Sequence, residues 1–297
     1  MARHWQQAAR AMTVAVAVLV TLACGGSNPS APVEIGGRAV NVHVPDSYDP
    51  ARPAPLVLGL HGYTSSPREL EMYLRLTAES DRHGFIYAYP DGSTDHRGRR
   101  YWNATDACCA FSDPEPDDSR YLSELISSIQ NSYRIDPSRV YLIGHSNGGF
   151  MSFRMACDHA DQITAIVSLN GATWNDAARC RPSEPVSVLA IHSSNDEIVT
   201  FSGGAIDGTA YPSAASTVAQ WVGHNRCAET GRDEPALDLV TDLPAAETSI
   251  RTYVQGCADG SSVQAWTING GVHVPQLGPA FAPAVTDFLL SQTKPAR

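Results

Sequence analysis

The chain has 297 residues, of which 43% are hydrophobic and 18% are charged. This composition is typical of a globular protein and excludes a disordered, collagen-like or coiled-coil chain. The 21 basic and 31 acidic residues give a net charge of −10, and a run of basic residues occurs only at Arg97–Arg100, so nucleic acid is not an expected partner. A length near 300 residues is about the largest that one hydrophobic core supports, which favours one folded domain.

The N-terminus has the parts of an export signal. Arg3 and Arg10 supply positive charge, and an apolar stretch follows that ends near Ala23. The segment is too short to span a bilayer as a mature helix, so it predicts a signal peptide over residues 1–23. The four residues that end at Cys24 resemble a bacterial lipobox. They predict lipidation of Cys24 and a lipoprotein anchored in a membrane, facing the periplasm or the cell exterior; plain secretion after cleavage nearby is the alternative.

The rest of the chain divides into a tether and a domain. Residues 24–33 are small, polar and interrupted by proline, as in a flexible linker, and residues 34–297 form the predicted folded domain. Export implies an oxidising compartment in which cysteines pair. With Cys24 assigned to lipid, six cysteines remain, an even number that suits a disulfide framework but does not fix the pairing. A zinc site is the alternative use, but no Cys-x-x-Cys spacing supports it.

Hydrophobic periodicity alternates between strand and helix patterns after the tether. Residues 91–117 show no periodicity and form a longer segment than most loops, which predicts a functional loop. The alternation predicts an α/β fold with a mostly parallel central sheet flanked by helices. The predicted elements are strands at 40–44 and 55–60, a helix at 67–80, a strand at 85–89, a helix at 118–129, a strand at 140–143, a helix at 148–157, strands at 163–170 and 186–191, a helix at 214–224, strands at 250–254 and 263–268, and a helix at 281–290.

One segment has the pattern of a catalytic serine. Gly144-His145-Ser146-Asn147-Gly148 fits Gly-x-Ser-x-Gly, a pattern that is weak when taken alone. Its context is stronger, because a buried strand precedes it and a helix follows, and this arrangement places a serine on a sharp turn. A side chain at either flanking glycine would collide with the neighbouring strand and helix. The segment therefore predicts Ser146 as a nucleophile; the alternative is a glycine-rich turn with an inactive serine.

A serine hydroxyl needs a base and a carboxylate that orients the base. His273 follows the last predicted strand and precedes the last helix, which is where an α/β-hydrolase places its base. Asp196 lies between Ser146 and His273 in the chain, just past a strand, and the neighbouring Glu197 is the alternative carboxylate. The order Ser, Asp, His is that of the α/β-hydrolases.

The negative charge that develops on an attacked carbonyl oxygen requires fixed donors. The backbone N–H of Asn147, directly after the nucleophile, and that of Tyr63, after Leu60-His61-Gly62, occupy the two expected positions. The side chain of Tyr63 is then free to contact substrate or to pack against the protein. The sequence therefore predicts an oxyanion hole formed by these two main-chain groups.

Taken together, these segments resemble the polyhydroxybutyrate depolymerase and feruloyl esterase group of α/β-hydrolases, over residues 34–292. The resemblance implies a serine esterase that forms an acyl-enzyme on Ser146, with His273 and Asp196 completing the triad. The chain departs from the family at Val272, where a third glycine is usual, and at 192–196, where the family often has His-Gly-x-x-Asp. The segments that carry the resemblance are Leu60-His61-Gly62, Trp102-Asn103-Ala104, Cys108-Cys109, Asp117-Asp118, Gly144–Gly149 and the Gly-Gly-x-His that ends at His273.

The same resemblance implies a pattern of cysteine pairing. It pairs Cys227 with Cys257 and Cys157 with Cys180. Cys108 and Cys109 then remain as a vicinal pair, and their pairing stays open.

The substrate is less well determined than the chemistry. The connection between the strands at 163–170 and 186–191 is too short for a helical lid, so an open cleft is expected. Trp102 and Trp174 lie on loops that flank the predicted site, where they either stack on substrate or form part of the core. The candidate substrates are polyhydroxyalkanoate-type polyesters or oligomers, feruloyl esters and acetyl esters. A serine peptidase on the same fold and a non-catalytic surface binding protein are the alternative functions.

No cofactor and no metal ion are expected. The acidic residues between Asp113 and Asp118 suit a solvated loop and the start of a helix, where negative charge is favourable. Calcium binding is the alternative for this segment. Contact with a membrane is expected only through the N-terminal lipid anchor.

Overall fold

A computed structural model describes residues 33–35, 37–111 and 115–295. The predicted signal peptide, the predicted lipidation site Cys24 and nearly all of the tether lie outside these residues. Within the described part of the chain, no helix is long and apolar enough to cross a membrane.

Strands and helices alternate through most of the described chain. The strands are β1 Val33–Ile35, β2 Arg38–His43, β3 Ala54–Leu60, β4 Ile86–Pro90, β5 Ser93–Thr94, β6 Arg100–Tyr101, β7 Ile135–His145, β8 Ala165–Leu169, β9 Ser187–Ser193, β10 Gly204–Ile206, β11 Thr209–Tyr211, β12 Arg232–Leu237, β13 Thr248–Tyr253 and β14 Val263–Ile268. The helices are α1 Pro67–Leu74, α2 Leu76–His83, α3 Asp118–Ser132, α4 Asn147–Asp158, α5 Ala214–His224 and α6 Phe281–Ser291.

Ten of these strands form one sheet, in the order β1-β2-β4-β3-β7-β8-β9-β14-β13-β12. The six strands from β4 to β14 in this order are parallel, and the strands at both edges are antiparallel. All seven residues of β3 are buried, as expected for a parallel strand covered on both faces. One apolar cluster packs α3, α4 and α5 against one face, and a second packs α1, α2 and α6 against the other. The predicted α/β architecture is therefore confirmed.

The structure differs from the sequence prediction where the backbone turns or the sheet is exposed. The helix predicted at 67–80 is two helices, because Arg75 has a left-handed backbone with φ 57° that ends α1. The strand predicted at 140–143 is the buried end of the longer β7. The edge strand β12 and the hairpin of β10 and β11 had not been predicted, since their residues are mostly exposed and lack apolar alternation.

Three disulfides link the cysteines of the domain. Cys157 at the end of α4 pairs with Cys180, and Cys227 pairs with Cys257, as the family resemblance implies. Cys108 and Cys109 pair with each other in the loop that precedes α3. Disulfides of this kind persist in oxidising compartments.

Candidate active site

Ser146 lies on a sharp turn between β7 and α4. Its backbone has φ 55° and ψ −119°, a combination that non-glycine residues rarely adopt. Its N–H donates to the carbonyl of Leu169 at 2.8 Å, which ties the turn to the end of β8. A Cβ at Gly144 would collide with the Gly148 carbonyl, and a Cβ at Gly148 would collide with the Leu60 carbonyl. The two glycines therefore permit the close approach of β7, α4 and β3 that holds the serine in this conformation.

The structure brings Ser146, His273 and Asp196 into one hydrogen-bonded chain. Ser146 Oγ lies 2.9 Å from His273 Nε2, and His273 Nδ1 lies 2.8 Å from Asp196 Oδ2. The three residues follow β7, β14 and β9, at the carboxyl edge of the parallel sheet. With Nδ1 protonated towards the carboxylate, Nε2 is free to accept the serine proton.

The carboxylate of Asp196 is held by more than the imidazole. Its Oδ1 accepts the backbone N–H groups of Ile198 and Val199 at 2.9 and 2.8 Å. Burial acts to raise the pKa of Asp196, but the hydrogen bonds from His273 and from these two N–H groups outweigh it, so the pKa is lowered. The rival carboxylate, Glu197, is exposed and accepts the backbone N–H of His273 at 3.3 Å instead of the ring.

The two main-chain N–H groups predicted as oxyanion donors belong to Asn147, directly after the nucleophile, and to Tyr63, on the loop after β3. Asn147 begins α4, and neither its N–H nor that of Tyr63 donates to any group in the described part of the chain. The loop that carries Tyr63 is braced by His61, whose Nδ1 donates to the Gly62 carbonyl at 2.8 Å and whose Nε2 accepts the Gly92 N–H at 2.9 Å. Burial lowers the pKa of His61, which favours the neutral ring that these two contacts require. The two N–H groups thus remain the predicted donors of an oxyanion hole.

Trp102 is not at the surface of the cleft, which corrects the expectation that it stacks on substrate. Its side chain is fully buried, and its indole N–H donates to the His61 carbonyl at 3.0 Å. Its backbone N–H and carbonyl both bond to the Asn147 side chain, at 2.7 and 2.9 Å. Trp102 therefore packs in the core and supports the loop that carries His61 and Tyr63. The sequence left two interpretations open, and the core aromatic is the one that fits.

Trp174 and Tyr63 differ in what they present to solvent. Trp174 is 7% exposed, and the Arg179 guanidinium lies 4.1 Å from its ring centroid, so one face of the indole is covered. Tyr63 is half-buried and makes an edge contact with Phe111, at 5.5 Å between ring centroids. Phe111 is 42% exposed and lies on the loop that the sequence had marked as functional. Tyr63 and Phe111 thus form a partly exposed aromatic pair, and the Arg99 guanidinium lies 5.3 Å from the centroid of the Tyr63 ring.

Sequence reasoning also missed two residues that contact the main chain of His273. His145 Nε2 donates to the His273 carbonyl at 2.9 Å, and Asn170 Nδ2 donates to the same oxygen at 2.8 Å. Both lie at the carboxyl ends of sheet strands, a position that could have singled them out because functional groups gather there in α/β folds. Burial, and then the nearby His273, lower the pKa of His145 to about 4.

The acidic segment before α3 is used for structure. Asp117 caps α3 by accepting the Arg120 N–H, and Asp118 is fully buried. The Asp118 carboxylate lies 2.6 Å from Arg38 and accepts the Asn103 N–H at 2.7 Å. In residues 33–35, 37–111 and 115–295, no group of three His, Cys, Asp or Glu side chains is arranged to hold a metal ion.

A cavity of about 790 Å³ lies apart from the nucleophile, which is not among the residues that line it. It is bounded by α5 on one side and by β9, β14 and β13 on the other. His192 is among the residues that line this cavity, and its Nε2 is 3.7 Å from Asp196 Oδ2.

Comparison with known proteins identifies relatives of this chain. The family model described as Esterase PHB depolymerase matches residues 42–229. Feruloyl esterase C of Emericella nidulans is 26% identical over 246 residues, which are 82% of this chain and 80% of that protein. Feruloyl esterase B of Piromyces equi is 27% identical over 244 residues, 80% of this chain but only 42% of that longer protein. The solved structure of an acetyl xylan esterase from Aspergillus awamori has a TM-score of 0.61 at 16% identity, and the match covers 89% of this chain and 96% of that one. These likenesses confirm the predicted α/β-hydrolase fold.

Proposed function

This chain belongs to the Esterase PHB depolymerase family and is a carboxylic ester hydrolase, and we propose that it cleaves esters through Ser146, His273 and Asp196. The observation that carries the proposal is the continuous hydrogen-bonded chain from Ser146 Oγ through the His273 ring to the Asp196 carboxylate. Its two distances, 2.9 and 2.8 Å, are those of groups positioned for proton transfer.

The proposed reaction has two stages. His273 Nε2 takes the proton from Ser146 as the oxygen attacks the ester carbonyl, and then gives it to the leaving alcohol. Asp196 stabilises the imidazolium that forms in between, and the N–H groups of Tyr63 and Asn147 bind the oxyanion. In the second stage, His273 takes a proton from water as the water attacks the acyl-enzyme carbonyl. It then returns that proton to Ser146 Oγ as the acid is released. Each oxyanion donor of this kind is worth about 3 to 4 kcal/mol of barrier.

Feruloyl and acetyl esters are the proposed substrates, with polyhydroxyalkanoate-type esters as the second candidate. The relatives named above support the first, and the half-exposed Tyr63 with Phe111 offers a surface for an aromatic acyl group. Polyhydroxyalkanoate-type esters are favoured by the exposed aliphatic side chains near the catalytic residues. Val272 and Val274 flank His273 and are 43% and 57% exposed, and Ile198 near Asp196 is 58% exposed.

The N-terminal segment determines the proposed location. A signal peptide over residues 1–23, a lipidated Cys24 and a tether over residues 24–33 would export the catalytic domain and hold it at a membrane. The three disulfides support export, since they need an oxidising compartment. Metabolic labelling with a palmitate analogue distinguishes anchoring from plain secretion: label is expected on the wild type and not on Cys24→Ala.

The proposal is tested by comparing substrates and variants side by side. Three proteins would be compared: the wild type, Ser146→Ala, and the control Ser183→Ala at an exposed serine. Each would be given methyl ferulate, acetylated xylan, short-chain p-nitrophenyl esters and polyhydroxybutyrate. Ser146→Ala is expected to lower kcat by about 10⁶, because the nucleophile is lost, while the control retains full activity. Full activity of Ser146→Ala would refute the proposal, and faster cleavage of amides than of esters would favour a peptidase.

A further inference from the structure

The catalytic histidine lies on a connection without regular secondary structure. His273 belongs to the segment between β14 and α6, which is made of turns and an isolated bridge. Proton transfer requires its ring to remain aligned with both Ser146 and Asp196, and a misplacement of about 1 Å costs about 100-fold in rate. Something other than helix or sheet hydrogen bonds must therefore hold this part of the main chain.

The carbonyl of His273 accepts two side-chain hydrogen bonds from the parallel sheet. One comes from His145 Nε2, at 2.9 Å, and the other from Asn170 Nδ2, at 2.8 Å. The first donor is the last residue of β7, and the second directly follows β8. The His273 carbonyl is thus held from the ends of β7 and β8. The same two strand ends are joined by the Ser146 N–H, which donates to the Leu169 carbonyl.

His145 is suited to act only as a donor at Nε2. The residue is buried, and its low pKa, about 4, keeps the ring neutral at higher pH, so the ring carries one N–H. The contact with the His273 carbonyl requires that proton on Nε2. Because Ser146 is the next residue, two neighbours on the same turn contact His273: one bonds its ring and the other its main chain.

Asn170 is fixed just as closely. It is fully buried with φ 53°, and its Oδ1 accepts the Ser193 N–H at 2.7 Å. Its Nδ2 lies 3.2 Å from Ser193 Oγ as well as 2.8 Å from the His273 carbonyl. The amide therefore cannot rotate without losing bonds on both sides, and it links β9 to the connection that carries His273.

We propose that His145 and Asn170 are positioning residues that align His273 with Ser146 by fixing its main-chain carbonyl. This inference rests on the proposed triad. It assigns to the residue before the nucleophile a function in the geometry of the base. Neither residue touches substrate, so their loss acts on kcat and leaves KM nearly unchanged.

The test uses variants that keep or remove each donor. His145→Leu removes the N–H, His145→Gln restores an amide N–H at similar reach, and Asn170→Asp keeps the Ser193 contact while it removes the donor to His273. On a p-nitrophenyl ester, His145→Leu and Asn170→Asp are expected to lower kcat by about 30- to 100-fold with KM changed less than about twofold. His145→Gln is expected to recover most of the loss, which a mere packing role would not produce.

A second background separates this inference from the proposed function. In His273→Ala the base is absent, so adding His145→Leu should leave the residual rate unchanged. Three results would each overturn the positioning role. They are equal kcat for His145→Leu and His145→Gln, wild-type kcat in Asn170→Asp, and a further loss of rate when His145→Leu is added to His273→Ala. Full activity of His273→Ala alone would instead refute the proposed triad. If His145→Leu does not fold, Asn170→Asp provides the test.

Discussion

Asn147 has two separate functions in one residue. Its backbone N–H, directly after the nucleophile, is the proposed oxyanion donor, while its side chain bonds both the N–H and the carbonyl of Trp102, at 2.7 and 2.9 Å. It also reaches Cys108 Sγ at 3.5 Å. The side chain therefore fastens the loop of the vicinal disulfide to the start of α4, and the oxyanion donor depends only on the backbone.

Removing the Asn147 side chain should consequently affect stability. Asn147→Ala leaves the buried N–H of Trp102 without a partner and leaves its carbonyl with only the Cys109 N–H, at 3.3 Å, so the free energy of unfolding is expected to fall by about 1 to 3 kcal/mol in urea titrations. Asn131→Ala, at an exposed position of α3, is the control and should change it by less than about 0.5 kcal/mol. Equal stability of the two variants would contradict this account.

The site was predictable at some residues and not at others. Ser146, Asp196 and His273 were identifiable because their order and their places after strands follow from the nucleophile elbow. Trp102 was misplaced because a loop aromatic gives no sign in the sequence of which way it faces. His145 and Asn170 were missed because their partner is a main-chain carbonyl 128 and 103 residues away, and local patterns do not report such contacts.

At the scale of elements, the approach of α4 to β3 determines whether the elbow forms. Gly148 faces the Leu60 carbonyl so closely that a Cβ there would collide with it. The end of β3 continues directly into the loop of His61 and Tyr63. Displacing the end of β3 would therefore move the N–H of Tyr63, the proposed oxyanion donor, relative to Ser146.

Gly148→Ala is therefore expected to lower kcat on a p-nitrophenyl ester by at least about 100-fold and to lower Tm. Gly223→Ala is the matched control, because no atom lies within 4 Å of a Cβ at that exposed position of α5. The control should retain activity and gain up to about 1 kcal/mol of stability from helix propensity. Wild-type kcat in Gly148→Ala would show that the close approach is not required.

Buried strands and helices could be predicted from the sequence, whereas exposed strands could not. Most strands of the parallel block contain a buried apolar run and were found at least in part, and α5 and β14 were found with their observed bounds. The strands β10, β11 and β12 were missed, because mostly exposed strands need no apolar residues. The break at Arg75 was missed because a left-handed non-glycine residue has no sequence signature.

At the scale of the whole molecule, buried neutral histidines make the fold sensitive to acid. Burial lowers the pKa of His61, His145, His192 and His224, and that of His145 falls from 6.5 to about 4. Below pH about 6.5 the unfolded chain binds protons that the folded chain does not. Stability therefore falls as pH decreases towards 4, and His145 alone contributes up to about 3 kcal/mol.

Urea unfolding between pH 7.5 and 4.5 tests this expectation. The free energy of unfolding should decrease steadily below pH 6.5, and His145→Gln should show a shallower decrease, since it removes one of the groups that take up a proton. A free energy independent of pH over this range, or a slope unaltered by His145→Gln, would contradict the assignment of buried neutral rings.

Ser146 is the proposed nucleophile of an ester hydrolase. The most direct measurement is peptide mapping by mass spectrometry after reaction of the full domain with a fluorophosphonate, alongside Ser146→Ala. One adduct is expected, on the peptide that contains Ser146, together with loss of esterase activity, and no adduct is expected on the variant. An adduct on another serine, or undiminished hydrolysis after complete labelling of Ser146, would contradict it.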